Sequence, residues 1–195
     1  MKNTVTLSFV YSQIVFFLFL PVWLEITKYL HTLVIGVIWF CITTFVFFIV
    51  CWIKKETVTI PPIVLHIITL LYAFGLFVLL FFRPQNQNYG TINLIPFETI
   101  VFYLSGQVDY LIALYNLSAN IGLFIPFGLY YGYIKGRSRL KQLLVIAIFS
   151  VCLIEILQFL TRRGSLDIDD LILNVLGVLL GYLIYPQFQK VLKTM

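Results

Sequence analysis

Long apolar runs, each separated from the next by charges or turn-forming residues, set the pattern of this 195-residue chain. Six stand out: Leu7 to Leu24, Leu33 to Ile53, Ile60 to Phe82, Leu111 to Ile134, Gln142 to Leu160 and Leu171 to Tyr185. About 20 mostly apolar residues, at a rise of about 1.5 Å each, cross the roughly 30 Å hydrocarbon core of a bilayer. The runs therefore predict an all-α polytopic membrane protein of about six transmembrane helices. The sixth is the short one. Its 15 residues reach only about 22 Å, which requires Asp167 to Asp170 near the surface, a thinned bilayer or a position shielded by protein. The first run ends at Glu25 ahead of further spans and carries no clear small-residue cleavage site, so a retained helix is expected there and not a signal peptide.

The longest stretch outside this pattern, Arg83 to Tyr110, holds Gln, Asn, Gly and Pro and is expected to be a loop. Within it Asn93-Leu-Ile-Pro-Phe97 sets apolar residues beside a helix-breaking proline, which suits a segment that dips back onto the helix ends or the interface. This divides the chain into an N-terminal three-span region, 1–82, and a region 83–195 made of the outer loop 83–110 and three further spans.

Composition narrows the class. Hydrophobic residues make up 61% of the chain and charged ones 11%, against roughly 25% charged in an average soluble domain. A water-soluble enzyme is excluded, and with 3 cysteines so is a disulfide scaffold. The net charge of +5 is not gathered on a basic stripe, so the expected partner is the lipid bilayer and not nucleic acid. With the N-terminus inside, nine of the 13 basic residues fall on the cytoplasmic side, which places both termini there. The firmest anchor is the cluster Lys135, Arg137, Arg139 and Lys141. Of the eight acidic residues only Glu56 is then cytoplasmic; Glu155 lies within the fifth run and the rest lie outside. Any chemistry is expected on the outer side of a multi-pass protein of the cell membrane.

Glu155 stands five residues before the outer end of its helix, about 8 Å deep at 1.5 Å per residue, where an exposed carboxylate is expensive. Gln158 and Arg162 follow at i+3 and i+7 and share its face. On the sixth span Asp170, Asn174, Gly177 and Gly181 share a face, and the two glycines allow a second helix to approach closely. In the fourth span Asn116 and Asn120 stack at i+4, and Pro126 with Gly128 loosens the helix further on. The connection Arg162 to Asp170 is tight, with Gly164 supplying turn freedom and Asp169 placed to cap the sixth helix.

Four pieces in this order carry a resemblance: Asn93-Leu-Ile-Pro-Phe97, Asn120-x-x-x-Phe124-x-Pro-x-Gly128, Glu155-x-x-Gln158, and Arg163-Gly-x-x-Asp-Ile-Asp-Asp-x-x-x-Asn174-x-x-Gly177-x-x-x-Gly181. Together they resemble the VanZ-like family over about half the chain, Arg83 to Tyr185. The family takes its name from an accessory membrane protein of glycopeptide-resistance clusters that raises tolerance to teicoplanin more than to vancomycin. The resemblance implies an integral membrane protein, of the bacterial cytoplasmic membrane, related to lipoglycopeptide resistance. It implies no known reaction.

Each candidate has a functional and a structural reading. Glu155 is a proton carrier or general base, or else a partner of Arg162, Arg163 or Arg83. Arg83 and Arg163 grip a phosphate or carboxylate of a lipid-linked cell-wall precursor, or else snorkel at the interface. Asn120 and Asn174 read first as interhelical hydrogen-bonding groups and second as ligands. Asp167, Asp169 and Asp170 read as caps and ion-pair partners, since no complete ligand-loop spacing for a divalent cation is present, and no metal or cofactor is expected. His31 and His66 receive no role, and Cys41, Cys51 and Cys152 read as small buried hydrophobes. The expected site is an outward polar pocket of Arg83, Asn93, Asn120, Glu155, Gln158, Arg163, Asp167, Asp170 and Asn174, centred on Glu155 and Asn174. Its leading function is to lower access or binding of lipoglycopeptides. The alternative is a membrane enzyme that modifies a lipid or cell-wall precursor with Glu155 as acid or base.

Overall fold

The computed structural model describes residues 2–27, 32–82, 91–136 and 139–194. Its helices are α1 (Lys2–Leu18), α2 (Leu20–Thr27), α3 (Leu33–Ile53), α4 (Pro62–Phe81), α5 (Glu98–Leu104), α6 (Tyr110–Gly122), α7 (Ile125–Lys135), α8 (Leu140–Leu160) and α9 (Ile168–Val191). The described residues also form four short strands: β1 (Val58–Ile60), β2 (Ile92–Asn93), β3 (Leu166–Asp167) and β4 (Leu192–Thr194). Among the described residues five helical segments are long and apolar enough to cross a membrane, and the bent pair α1–α2 makes a sixth if taken as one span. The protein is a multi-pass, all-α membrane protein.

Three of the expected runs change shape. The first is not one straight helix, because α1 and α2 meet at 58°. Pro21 stands in the first turn of α2, where it supplies no N–H and disfavours helical geometry at the residue before it; the ladder restarts with Val22 and Trp23 both donating to the Phe19 carbonyl at 3.0 Å. The fourth run is interrupted between Gly122 and Ile125, with Pro126 in the first turn of α7. The sixth is longer than its apolar core: α9 has 24 residues, about 36 Å at 1.5 Å per residue. It takes in Asp169 and Asp170 at one end and continues past Pro186 at the other, which removes the shortfall in length. The region 83–110, expected to be a loop, contains β2 and α5 in its described part.

The chain forms two compact units. The first comprises 1–75 and 186–195. In it α1 lies along α3, with the side chains of Thr4, Ser8 and Ser12, one per turn, buried. Small hydroxyl side chains let two membrane helices approach, and Ser8 returns its own hydrogen to the Thr4 carbonyl at 2.8 Å. Trp39 Nε1 donates to Gln13 Oε1 at 2.9 Å. β1 pairs in parallel with β4, Thr59 opposite Lys193, and Thr4 Oγ1 donates to Glu56 Oε1 at 2.7 Å. The start of α1, the turn after α3 and the 192–194 strand therefore lie together.

The second unit is 76–185. Its core gathers Leu76, Leu80, Phe124, Leu143, Ala147, Val151, Val178 and Tyr182. Glycines set the spacing of α9 against α6 and α7. A Cβ on Gly177 would stand 2.1 Å from the Ile121 carbonyl oxygen, and one on Gly128 would stand 1.9 Å from that of Val178. Backbone meets backbone at both points, which dispersion and weak Cα–H···O contacts favour and any side chain would prevent.

Candidate functional site at one end of the second unit

A two-residue parallel ladder builds the site. Ile92 pairs with Leu166 and Asn93 with Asp167, and the Leu166 N–H donates to the Thr91 carbonyl at 3.0 Å. Two pieces of sequence more than 70 residues apart, the Asn-Leu-Ile-Pro-Phe segment and the aspartate-rich turn into α9, are thereby laid side by side.

All four carboxylate oxygens of Asp167 and Asp169 receive donors. Asp167 Oδ1 accepts from the Asp169 N–H at 2.9 Å and Oδ2 accepts from Thr99 Oγ1 at 2.5 Å. Asp169, fully buried, accepts from the Phe97 N–H on Oδ1 at 2.6 Å and from the Ile100 N–H on Oδ2 at 3.1 Å. The expectation that Asp169 caps the sixth helix is therefore corrected: Asp167 caps α9, and Asp169 caps α5. Phe97, the residue before α5, has φ of 68° and no side-chain cap of its own, so the first turn of α5 depends on a carboxylate from elsewhere. Asn93 completes the knot, with Oδ1 accepting from the Ile95 N–H and Nδ2 donating to Thr99 Oγ1, both at 3.0 Å. Among the described residues no three of His, Cys, Asp and Glu are grouped to hold a metal ion.

The other candidates lie nearby in the same unit. Asn120 on α6 donates through Nδ2 to Asp170 Oδ1 on α9, a bond between helices. Gln158 is buried and donates to the Leu80 carbonyl at 3.1 Å, satisfying one of the orphaned acceptors at the end of α4. Gly164 is packed onto Gln158, leaving 3.1 Å between an added Cβ and the glutamine Cβ. Arg163 is half-buried and its N–H donates to the Gln158 carbonyl at 2.8 Å. Arg162 is not on the face shared by Glu155 and Gln158: α8 ends at Leu160, and Arg162 is exposed with φ of 54°. Arg83, like His31, lies outside the described residues.

Glu155 and Asn174 are both buried, 6% and 4% exposed. Val151 and Val178 belong to one core cluster. Glu155 stands one turn onward from Val151 along α8, and Asn174 one turn back from Val178 along α9, so each lies next to a core residue of the second unit. Asn174 Oδ1 has no hydrogen-bond donor among the described residues, and neither does the buried Tyr182 hydroxyl two turns further along α9. Sequence reasoning passed over Tyr182 and Thr99. The signal for Thr99 was a hydroxyl residue at a helix start three places after a proline; Tyr182 carried none beyond its place on the Asn174 face.

The fold and this site define a multi-pass helical membrane protein with a knot of buried acids and amides at one end of its C-terminal spans. The VanZ/LLP1 family model matches residues 45–189, and the chain belongs to that family. The match begins inside α3, well before the Arg83 at which the sequence resemblance starts. No curated protein and no solved structure matches the chain.

Proposed function

We propose that this protein lowers the binding or access of teicoplanin-type lipoglycopeptides at the outer membrane face, through a polar pocket at the Asp167–Asp170 end of the region 83–195. The observation that carries this reading is Asn174. Its Oδ1 is buried within a membrane helix and has no donor among the described residues, an arrangement worth about 1–3 kcal/mol of lost stability. A group kept at that expense suits an incoming donor, such as an amide or hydroxyl of a lipid-linked cell-wall precursor or of the antibiotic itself. The excess of Lys and Arg on the side of Lys54, Lys55 and the 135–141 cluster supports an orientation with both termini in the cytoplasm and the acidic end outward.

Glu155 favours a second reading, a membrane enzyme in which this buried carboxyl serves as acid or base on a lipid or precursor. The two differ in what they leave behind. Expression of the chain, and of its Glu155→Gln and Asn174→Ala variants at matched membrane levels, in a susceptible Gram-positive host tests both. Loss of labelled teicoplanin binding but not of labelled vancomycin, abolished in the variants, with envelope lipids unchanged, supports shielding. A chemically altered lipid supports the enzyme, and unchanged binding of both drugs removes the antibiotic role.

A further inference from the structure

α5 and the elbow before it turn their polar groups inward and their apolar side chains outward. Phe97, Val101 and Leu104 are 57%, 60% and 70% exposed, and Leu94 and Ile95 are each 63% exposed. On the opposite face Thr99 is tied to Asp167, while the Ile100 N–H is tied to Asp169. A contiguous apolar patch of this kind marks a contact with lipid or protein.

The backbone says which. Irregular chain enters the hydrocarbon region only where protein satisfies its polar groups. In the elbow the Ile95 N–H is taken by Asn93, position 96 is a proline without an N–H, the Phe97 N–H is taken by Asp169, and the Val101 N–H by the Phe97 carbonyl at 2.9 Å. Hydrogen bonds that would otherwise need water are made inside the protein, where it faces the knot of acids. The segment also lies against a span. α5 packs against α6, whose Leu111, Ile112 and Leu114 are exposed on a membrane-crossing segment. Seven residues of helix reach about 10 Å, a fraction of the roughly 30 Å core. Between Thr91 and Val108 the single charged residue is Glu98, at the start of α5.

We propose that residues 94–104 insert into the bilayer leaflet at the Asp167–Asp169 end, with Phe97, Val101 and Leu104 among its acyl chains, and that the two aspartates fix the depth. The proposal does not depend on the antibiotic reading. Its test uses the full-length protein, with the three native cysteines replaced, in vesicles of phosphatidylethanolamine and phosphatidylglycerol. Single spin labels at Val101, Leu104 and Glu98 are compared with one at Phe149, an exposed position inside the α8 span. Labels at Val101 and Leu104 should match Phe149, relaxed by oxygen and protected from a water-soluble nickel chelate, while Glu98 should be open to nickel. Nickel access at Val101 and Leu104 equal to that at Glu98 overturns the insertion, as does protection from both reagents, the result a protein partner or second copy would give. In the Asp169→Asn and Thr99→Val backgrounds nickel access at Val101 should rise at least twofold; no change in either overturns the fixed depth.

Discussion

The carboxylate of Asp169 holds the backbone N–H of Phe97 at 2.6 Å, across 72 residues of chain. An acid in the first turn of one helix thus supplies the N-terminal cap of another, and its second oxygen takes the Ile100 N–H. A carboxyl group that takes one backbone N–H on each of its two oxygens satisfies two donors of the first turn at once. It also explains why two aspartates are needed so close together: with Asp169 turned away, α9 is started by Asp167.

Removing this acid should be among the most damaging changes in the second unit. Asp169→Ala is expected to cost about 3–5 kcal/mol, from two lost hydrogen bonds and two orphaned, buried amides. Asp169→Asn, which keeps one oxygen acceptor, should lose about half as much. Thermal unfolding in detergent, followed by circular dichroism, checks the order; equal losses in both variants would mean that packing and not capping sets the cost.

The helices and the polar end were legible in the sequence because each rests on local information. Apolar runs of about 20 residues have few other uses, and Glu155, Gln158, Asp170 and Asn174 declared themselves as polar groups at helical spacing. What each polar group bonds to was not legible. Asp169 next to a helix start reads as that helix's own cap, and only the β2–β3 pairing, a contact between distant segments with two residues per strand, redirects it. The break after Gly122 and the bend at Phe19 were signalled by Pro126 and Pro21. Proline in a membrane span, however, is compatible with both a kink and a full interruption.

Glycine spacing makes a second prediction with its own control. Gly177→Ala places a Cβ 2.1 Å from the Ile121 carbonyl oxygen, so α9 must move off α6, at an expected loss of about 3 kcal/mol or more. Gly75→Ala on α4 and Gly122→Ala on α6 meet nothing within 4 Å and should be neutral or stabilising by up to about 1 kcal/mol, since alanine restricts the unfolded chain. Yields of folded protein and unfolding temperatures of the three variants decide it. A mild Gly177→Ala phenotype would remove the close helix contact.

At the other end of the chain the Thr4 hydroxyl, donating to Glu56, holds its carboxyl below the usual carboxylate range. A group whose folded pKa is depressed contributes stability above its unfolded pKa and loses it as pH falls through the folded value. The stability difference between the native chain and Thr4→Val should therefore be flat near neutral pH. It should shrink on acidification below the ordinary glutamate value of 4.5. Unfolding temperatures from pH 7 down to about 3 measure it; a difference that grows on acidification would reverse the sign.

Asn174 separates a structural group from a functional one. If its role were to tie helices together, replacing it with leucine, which keeps the branching and the number of side-chain heavy atoms, would weaken the fold by about 1–2 kcal/mol, the worth of an interhelical hydrogen bond. Its Oδ1 instead has no donor among the described residues in a buried site, so Asn174→Leu removes an uncompensated acceptor and should leave the unfolding temperature unchanged or raised by a few degrees. Under the proposed function the same variant loses its effect on teicoplanin binding while its membrane level and topology stay native. The contrast with Asn120, which does bond across to Asp170, sharpens the test: Asn120→Leu should destabilise. A variant pair that behaves the other way round, stable at 120 and unstable at 174, would assign Asn174 to the scaffold and move the search for the ligand group to Glu155.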